Sequence, residues 1–440
     1  IAVHNDPEFI TEVKNIFYVE DLESKISPFL CELYQIDINH SKYFGFTGTN
    51  GKTSSAYFCH QILNNQGHPS LYIGTLGVYF NQEKSDKIFS TKTTPDIFEL
   101  FTILNFFGFG RTPYMDGFEV PVNICIEISS HALDQGRLND IDWFNATSIL
   151  NISSDHLDYH KKISAYRDAK FEIFKNKSLV KLLDDKSYKF HHKYDFIVND
   201  ENKILVISKD NNFSDIYYEI KEISIKETTF EISINKPSKE YNFKERKKFK
   251  FCCNVFPDFN VHNLVFAICS IGFDGFLENK INDLNYLRLP KGRAEIIRDI
   301  PSNIIIDYAH NHEAVKLFLS SIKNQYDNLI VIIGCGGGRD KSKRSKMLSA
   351  AIRDSSKVIF TSDNSRSEDF EDIFKDAVKN NNIENVVKIK DRKQAIIFGT
   401  KEISNNDCLV ILGKGHEETQ EENNQISYFS DHEVVNEIYN

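Results

Sequence analysis

Short apolar runs of β type alternate with amphipathic stretches through most of the chain, which predicts α/β construction around a mainly parallel sheet. Tyr43-Phe44-Gly45-Phe46, Val122-Asn123-Ile124-Cys125-Ile126 and Ala146-Thr147-Ser148-Ile149-Leu150 read as buried strands of a first unit. From about Tyr194 to Phe251 the pattern changes. Phe230, Ile232 and Ile234 alternate with Glu231 and Ser233, so an antiparallel meander is expected there, attached to the first unit. After Leu289-Pro290-Lys291-Gly292 a second α/β series begins, with strands expected at 303–306, 330–333, 358–360 and 409–412. A boundary near Leu287 follows, separating a central unit, 41–287, from a Rossmann-like C-terminal unit, 288–440.

The 440 residues, 41% of them hydrophobic, can supply two or three packed cores. No apolar stretch reaches the roughly 20 residues that a membrane-spanning helix needs. Ile1-Ala2-Val3-His4-Asn5-Asp6 lacks the basic start and apolar run of a signal peptide. The expectation is therefore a cytoplasmic protein without membrane insertion. The 8 cysteines are scattered, none at C-x-x-C spacing, and read as buried apolar residues rather than disulfides or zinc ligands. A net charge of -10, from 53 basic and 63 acidic residues, argues against nucleic acid as a partner. The basic cluster from Arg339 to Lys346, taken alone, reads as a solvated loop.

Gly45-Phe46-Thr47-Gly48-Thr49-Asn50-Gly51-Lys52-Thr53 lies between an expected strand and a helical run starting near Ser54. That is where a phosphate-binding loop aims its backbone N–H groups and a helix N-terminus at an anion. Lys52 would reach the β- and γ-phosphates of ATP, and the Thr53 hydroxyl would coordinate magnesium. The strict motif fails at Phe46, where its first glycine belongs. A bland glycine turn is the competing reading, and Gly-Lys-Thr at a strand-to-helix junction weighs against it.

Gly48-Thr49-Asn50-Gly51-Lys52-Thr53 resembles the P-loop of the Mur ligases and of their relative folylpolyglutamate synthase, which accounts for the departure at Phe46. The run Glu127 to Arg137 is similar to a segment that binds magnesium and the UDP-sugar peptide in the muramoyl-tripeptide synthetases of that family. Further matches follow in order at Thr93-Thr94-Pro95, Asp155 to His160, Ala169-Lys170, Gly292-Arg293, Asp307 to His310, Gly336 to Asp340, Asp363 to Arg366 and Gly413 to Glu417. The resemblance implies ATP bound by Gly48 to Ser54 with Asn263, Arg293, Asp307 and His310, the last three reaching the nucleotide only when the units close. It implies magnesium held by Thr53, Glu127, His156 and a carbamylated Lys170. Glu127 ends one apolar strand and His156 follows another, plausible places for metal ligands; alone, each reads as a surface carboxylate or a capping imidazole.

For substrates the resemblance implies UDP-N-acetylmuramoyl-L-alanyl-D-glutamate, held by Thr93, Thr94, Ser129, Gln135 and Arg137, and meso-diaminopimelate, held by Arg339, Asp363, Asn364, Ser365, Arg366, Gly413 and Glu417. Lys92 stands where many relatives carry Asn, and Ser365 where diaminopimelate-adding relatives carry Pro. Arg366 decides the amino acid, because a guanidinium pairs bidentately with the carboxylate that diaminopimelate has and lysine lacks. The family's N-terminal uridine-binding domain is much longer than the segment before Gly45, so residues 1–40 are expected to be its remnant. The implied reaction forms an amide through an acyl phosphate, in peptidoglycan synthesis, by a monomer. The alternatives are a lysine-adding or D-Ala-D-Ala-adding relative, folylpolyglutamate synthase and, from another class, a P-loop phosphotransferase. The last leaves the later motifs idle.

Overall fold

The computed structural model describes residues 22–81, 83–85, 89, 93–109, 122–194, 204–297, 299–338 and 340–439. Two sheets organise it. The first carries twelve strands: β1 (Lys42–Thr47), β2 (Ser70–Gly74), β3 (Gly77–Phe80), β4 (Glu83–Lys84), β5 (Asn123–Glu127), β6 (Trp143–Ile149), β7 (Lys177–Asp184), β8 (Ile204–Ser208), β9 (Ile216–Ile223), β10 (Thr228–Ile234), β11 (Lys247–Cys253) and β12 (Ile281–Asp283). Their order is β12-β11-β10-β9-β8-β7-β6-β1-β5-β2-β3-β4. Strands β2, β5, β1, β6, β7, β8 and β9 run parallel. Their central members are apolar on both faces because helices cover both sides: Phe46 and Cys125 fall in one core, Ile124 and Ile126 in another.

The meander starts later than its alternation suggests. Ile204–Ser208 continues the parallel sheet, and within that stretch the antiparallel pairing runs through β9, β10 and β11. Period-2 alternation marks a half-buried strand but not the direction of its neighbour, so the sequence could not locate that switch. Of the expected N-terminal remnant, Leu22–Tyr34 is a helix and Ile38–His40 a 3₁₀ turn. Leu30, Ile36 and Ile38 pack into the core behind β5, and residues 1–21 lie outside the described residues.

The second sheet has order β13-β14-β18-β15-β16-β17, from β13 (Glu295–Ile296), β14 (Asn303–Asp307), β15 (Leu329–Ile333), β16 (Lys357–Phe360), β17 (Val386–Lys388) and β18 (Cys408–Leu412). All pairs are parallel except β13 with β14. Leu289 packs against the cores of both units. The hairpin β19 (Thr419–Glu422) and β20 (Gln425–Tyr428) stands apart as a two-stranded flap.

The basic cluster is not a solvated loop. Ser342–Asp354 is a helix, and Arg344 is 1% exposed, its guanidinium donating to Glu368, Asp376 and Gly336 O. Glu368 also accepts from Gly338 N, and Arg344 holds its carboxyl down to about 2. This pair fixes the glycine loop after β15. All 8 cysteines are free; six are buried, while Cys31 and Cys252 are partly exposed. Among the described residues no helix is long and apolar enough to cross a membrane.

Candidate active site

The connection from β5 to β6 crosses β1, so the strand order reverses there and the loops leaving β1, β5 and β6 part to leave a crevice at their carboxyl ends. A cleft of about 900 Å³ opens at that point, walled on its far side by residues of the second unit, Arg293, Asp307 and His310 among them.

The loop itself is fixed before any ligand arrives. Gly51 caps the helix Lys52–Asn65 at φ 89°, and a Cβ there would stand 2.2 Å from Asn263 Oδ1, so only glycine fits. Asn151 grips the backbone of Asn50 twice, its Oδ1 accepting from Asn50 N and its Nδ2 donating to Asn50 O, both at 2.9 Å. Thr49 Oγ1 accepts from Ser153 N at 2.9 Å and from the Tyr166 hydroxyl at 3.1 Å. Lys52 Nζ donates to the carbonyls of Gly48 at 2.9 Å and Thr49 at 3.1 Å. Burial lowers its pKa, while Glu127 and Asp155 act to keep its charge. Ser54 lies buried in the first helical turn beside Thr53.

Glu127 is fully buried at the end of β5, yet both its oxygens are occupied. Oε1 accepts from the Tyr72 hydroxyl at 2.5 Å and Thr75 N at 2.9 Å; Oε2 accepts from the Thr53 hydroxyl at 2.8 Å and the Thr75 hydroxyl at 3.2 Å. Four donors offset the desolvation of one carboxylate. Lys170 is 1% exposed, donates to Gly48 O at 2.8 Å and Thr47 Oγ1 at 3.3 Å, and lies over the Tyr166 ring. Burial, then the Lys52 charge, pulls its pKa well below the usual lysine value. His156 precedes the short helix Leu157–His160 at φ 52°, with its ring 5.1 Å from that of His131. Desolvation brings its pKa to about 4, assisted by Lys52, His131 and Lys170 against Asp155.

The residues expected on the sugar-peptide converge on the same cleft, with one change of role. Thr93, Ser129, Gln135 and Arg137 line it. Thr94 is 1% exposed and lies beneath, donating to Glu127 O at 2.8 Å and accepting from Ser129 N at 2.9 Å. Arg137 donates to Thr94 O and Gln135 Oε1.

Asp307 lines the cleft and also orders its wall. Its oxygens accept from Ala294 N at 2.6 Å and Ala309 N at 2.7 Å, so it fixes the turn that presents Arg293. Burial raises its carboxyl above the usual range, with Arg293 pulling the other way. His310 has its Nδ1 2.9 Å from Tyr308 O.

The residues expected on the amino acid form a neighbouring cluster rather than lining this cleft. Asp363 to Arg366 follow β16, and Gly413 to Glu417 follow β18. Glu417 Oε2 accepts from Asn364 Nδ2 at 3.0 Å. Arg366, at φ 53°, donates through Nη1 to Gly337 O at 2.6 Å, and its Nε lies 3.3 Å from Glu421 Oε2 on the flap. Asp363 and Ser365 are buried, and a Cβ on Gly413 would meet Asp363 Oδ2 at 2.7 Å, so these three shape the loops. Beneath them the fully buried pair Arg392–Asp431, at 2.7 Å, ties Leu412 O to Ser362 O. Arg339 and Lys92 lie outside the described residues.

Sequence reasoning passed over Asn151, Tyr72, Thr75, Tyr308 and Arg392. Asn151 and Thr75 each follow a strand that ends at the cleft, and that position was the available signal. Tyr308 sits inside the quoted run Asp307 to His310. Nothing local marks Tyr72 or Arg392.

Two family models match the chain: the Mur ligase middle domain over residues 46–271, and the Mur ligase glutamate ligase domain over residues 292–415. A UDP-N-acetylmuramoyl-L-alanyl-D-glutamate--2,6-diaminopimelate ligase from Alkaliphilus oremlandii is 31% identical, the alignment covering 100% of this chain and 86% of that protein. A solved structure of a ligase with the same name superposes with a TM-score of 0.60 at 28% identity, covering 97% of this chain and 84% of that one. The MurF ligase of Thermotoga maritima in complex with ADP shares the fold, with a TM-score of 0.59 at 14% identity over 91% of this chain and 82% of that one. The P-loop and its Asn151 clamp fall inside the first family match, Arg293, the loop after β16 and the start of the loop after β18 inside the second, and the chain belongs to the Mur ligase family.

Proposed function

We propose that this ATP-dependent ligase joins meso-diaminopimelate to the D-glutamate γ-carboxyl of UDP-N-acetylmuramoyl-L-alanyl-D-glutamate, for peptidoglycan synthesis. The observation that carries the choice of amino acid is that Arg366 and Glu417 stand on adjacent loops, linked through Asn364, whose amide donates to Glu417 and whose carbonyl accepts from Arg366: a cation and an anion for the zwitterionic far end of a dicarboxylic diamine. Lysine would bring no second carboxylate to Arg366, whose ion partner in the chain is Glu421, and D-Ala-D-Ala no second ammonium to Glu417, which lies 3.4 Å from Lys414 Nζ. Named relatives with the same activity support the reading.

In the reaction, a γ-carboxylate oxygen attacks the γ-phosphorus of ATP, the bond to the β-phosphate oxygen breaks, and an acyl phosphate and ADP result. Lys52, Arg293 and the N–H groups of the P-loop offset the charge on the phosphoryl oxygens. The diaminopimelate amine then attacks the acyl carbon, loses a proton, and the tetrahedral intermediate expels phosphate to leave the amide. An acyl phosphate hydrolyses readily, so a site walled by two units has a use in excluding water. Burial and the Lys52 charge pull the Lys170 pKa well below the usual lysine value, which favours the neutral amine that can attack carbon dioxide with loss of a proton and become a carbamate anion.

The donor set fits magnesium: a buried carboxylate beside the Thr53 hydroxyl, and an imidazole left uncharged by its depressed pKa. Among the described residues no group of three or more His, Cys, Asp or Glu side chains is suited to hold a metal, so phosphate and water oxygens would complete the shell. Thr53, Glu127, His156 and carbamylated Lys170 would hold the ion, which supplies Lewis-acid charge against the phosphate oxygens.

The test is phosphate release by the purified chain with ATP, the UDP-sugar dipeptide and, in turn, meso-diaminopimelate, L-lysine and D-Ala-D-Ala. Release and amide product with diaminopimelate alone is expected; preference for either other amine overturns the assignment, and release without any amine favours a phosphotransferase.

A further inference from the structure

The nucleotide cluster and the amino-acid cluster stand at the ends of two different sheets, and one side chain touches both. Tyr308 follows β14. The Arg293 guanidinium lies over its ring, Cζ 4.2 Å from the centroid, and its hydroxyl donates to Glu417 Oε1 at 3.2 Å. On one side the path continues from Arg293 Nη2 to Thr53 Oγ1 at 3.4 Å, and from the Thr53 hydroxyl to Glu127 at 2.8 Å. On the other it continues from Glu417 Oε2 to Asn364 Nδ2 at 3.0 Å. Five side chains, Thr53, Arg293, Tyr308, Glu417 and Asn364, thus join the first turn of the P-loop helix to the loop that carries Arg366.

The ring is held in place on its other sides. The His310 and His416 rings stand 4.7 Å and 5.2 Å away, and a Cβ at Gly415 would come within 2.8 Å of Tyr308 Cβ. Burial and the negative charge of Glu417 raise the pKa of the phenol against the pull of Arg293, so the hydroxyl stays a donor at neutral pH. A carboxylate that receives an ammonium and a guanidinium that meets a nucleotide therefore share one rigid support.

We infer that Tyr308 is a positioning residue that couples amino-acid binding to nucleotide binding, its hydroxyl fixing Glu417 for the ammonium of the incoming amine and its ring fixing Arg293 against Thr53. The inference rests on the ligase reading above. Coupling of this kind is reciprocal: a bound nucleotide raises affinity for the amine by the same factor as the amine raises affinity for the nucleotide.

The experiment measures, on the whole chain, the affinity of a non-hydrolysable ATP analogue with and without saturating amine, for the wild type, Tyr308→Phe and Tyr308→Leu. The wild-type ratio should be roughly fivefold or more, the low end of measured coupling. Tyr308→Phe keeps the ring under Arg293 but lacks the hydroxyl, so it should bind the analogue alone within about twofold of wild type while its ratio falls toward one. Tyr308→Leu should also weaken the analogue alone. If the melting temperature of Tyr308→Phe drops by more than about 5 °C, Arg293→Lys replaces it, since it breaks the path on the other side and must also collapse the ratio. A wild-type ratio of one, or an unchanged ratio in the operative variant, overturns the coupling. Running the ratios with lysine and D-Ala-D-Ala as well as diaminopimelate separates the two ideas: a different preferred amine revises the function, while the coupling stands or falls on the ratio for the amine that binds.

Discussion

Arg293 places its Nη2 3.4 Å from the Thr53 hydroxyl oxygen, so a guanidinium presented by the second unit meets the first turn of the P-loop helix. The Thr53 proton is already donated to Glu127, which leaves its oxygen free to accept from Arg293. Arg293 Nε is buried without a hydrogen-bond partner among the described residues, a donor left over for an incoming oxygen.

Arg293→Ala should therefore lower kcat/KM for ATP by roughly ten- to a hundredfold, the loss of one or two charge-assisted hydrogen bonds. Arg293→Lys should recover only part of it, because an ammonium lacks the planar fork. Phosphate release against ATP concentration measures both. Wild-type values in Arg293→Ala would remove Arg293 from the nucleotide site.

Lys170 has no room to act as a surface cation. Burial and the Lys52 charge depress its pKa well below the usual lysine value, which favours the neutral amine, nucleophilic toward carbon dioxide. Lys170→Ala should be nearly inactive, and small carboxylates such as acetate should restore part of the activity by replacing the carbamate. Full activity without them would refute the modification.

The P-loop was legible from its place between an apolar strand and a helical run, since strand ends are visible as breaks in hydrophobicity, whereas Glu127 and the loops after β16 and β18 stood out by their resemblance to the family's motifs. The rest depends on partners far away in the chain. Asn151 clamps Asn50 from 101 positions away, and Tyr308 meets Glu417 across 109. Arg344 looked like its neighbours Lys343 and Lys346, since a run of charges reads alike whether or not one member turns inward to Glu368 and Asp376. Thr94 and Asp307 were expected on ligands; Thr94 lies beneath the cleft and holds Ser129, while Asp307 lines the cleft and also holds the Arg293 turn.

Arg366 supplies the selectivity test. Its Nε faces Glu421 at 3.3 Å, and Nη1 is held by Gly337 O, which fixes the plane of the guanidinium. Arg366→Ala should reduce kcat/KM for diaminopimelate by roughly a hundredfold or more, because a site built to pair a charge discriminates strongly. Nucleotide affinity should stay near the wild-type value, since Arg366 does not line the nucleotide cleft. Equal use of diaminopimelate and lysine by the wild type, or no change in the variant, would take the specificity away from this residue.

Stability should fall in mild acid, and His60 accounts for a defined part of the fall. It lies on the helix Lys52–Asn65, 1% exposed, with Ser70 Oγ 2.7 Å from its Nδ1, and desolvation lowers its pKa to about 4. An unfolded chain protonates the same imidazole near 6.5. Between those values the unfolded state binds the extra proton, so the contribution is complete above about pH 6.5 and drains away as pH falls toward about 4. The loss is on the order of 3 kcal/mol by pH 4, from about 1.4 kcal/mol per pH unit. His156, with its pKa also near 4, adds slope in the same direction, so the comparison has to be made within a pair of proteins. Urea unfolding of wild type and His60→Gln at pH 5 and pH 7 isolates the term: the variant should lose less stability between the two pH values than the wild type does. Equal losses would mean that His60 takes up its proton in the folded state as readily as in water.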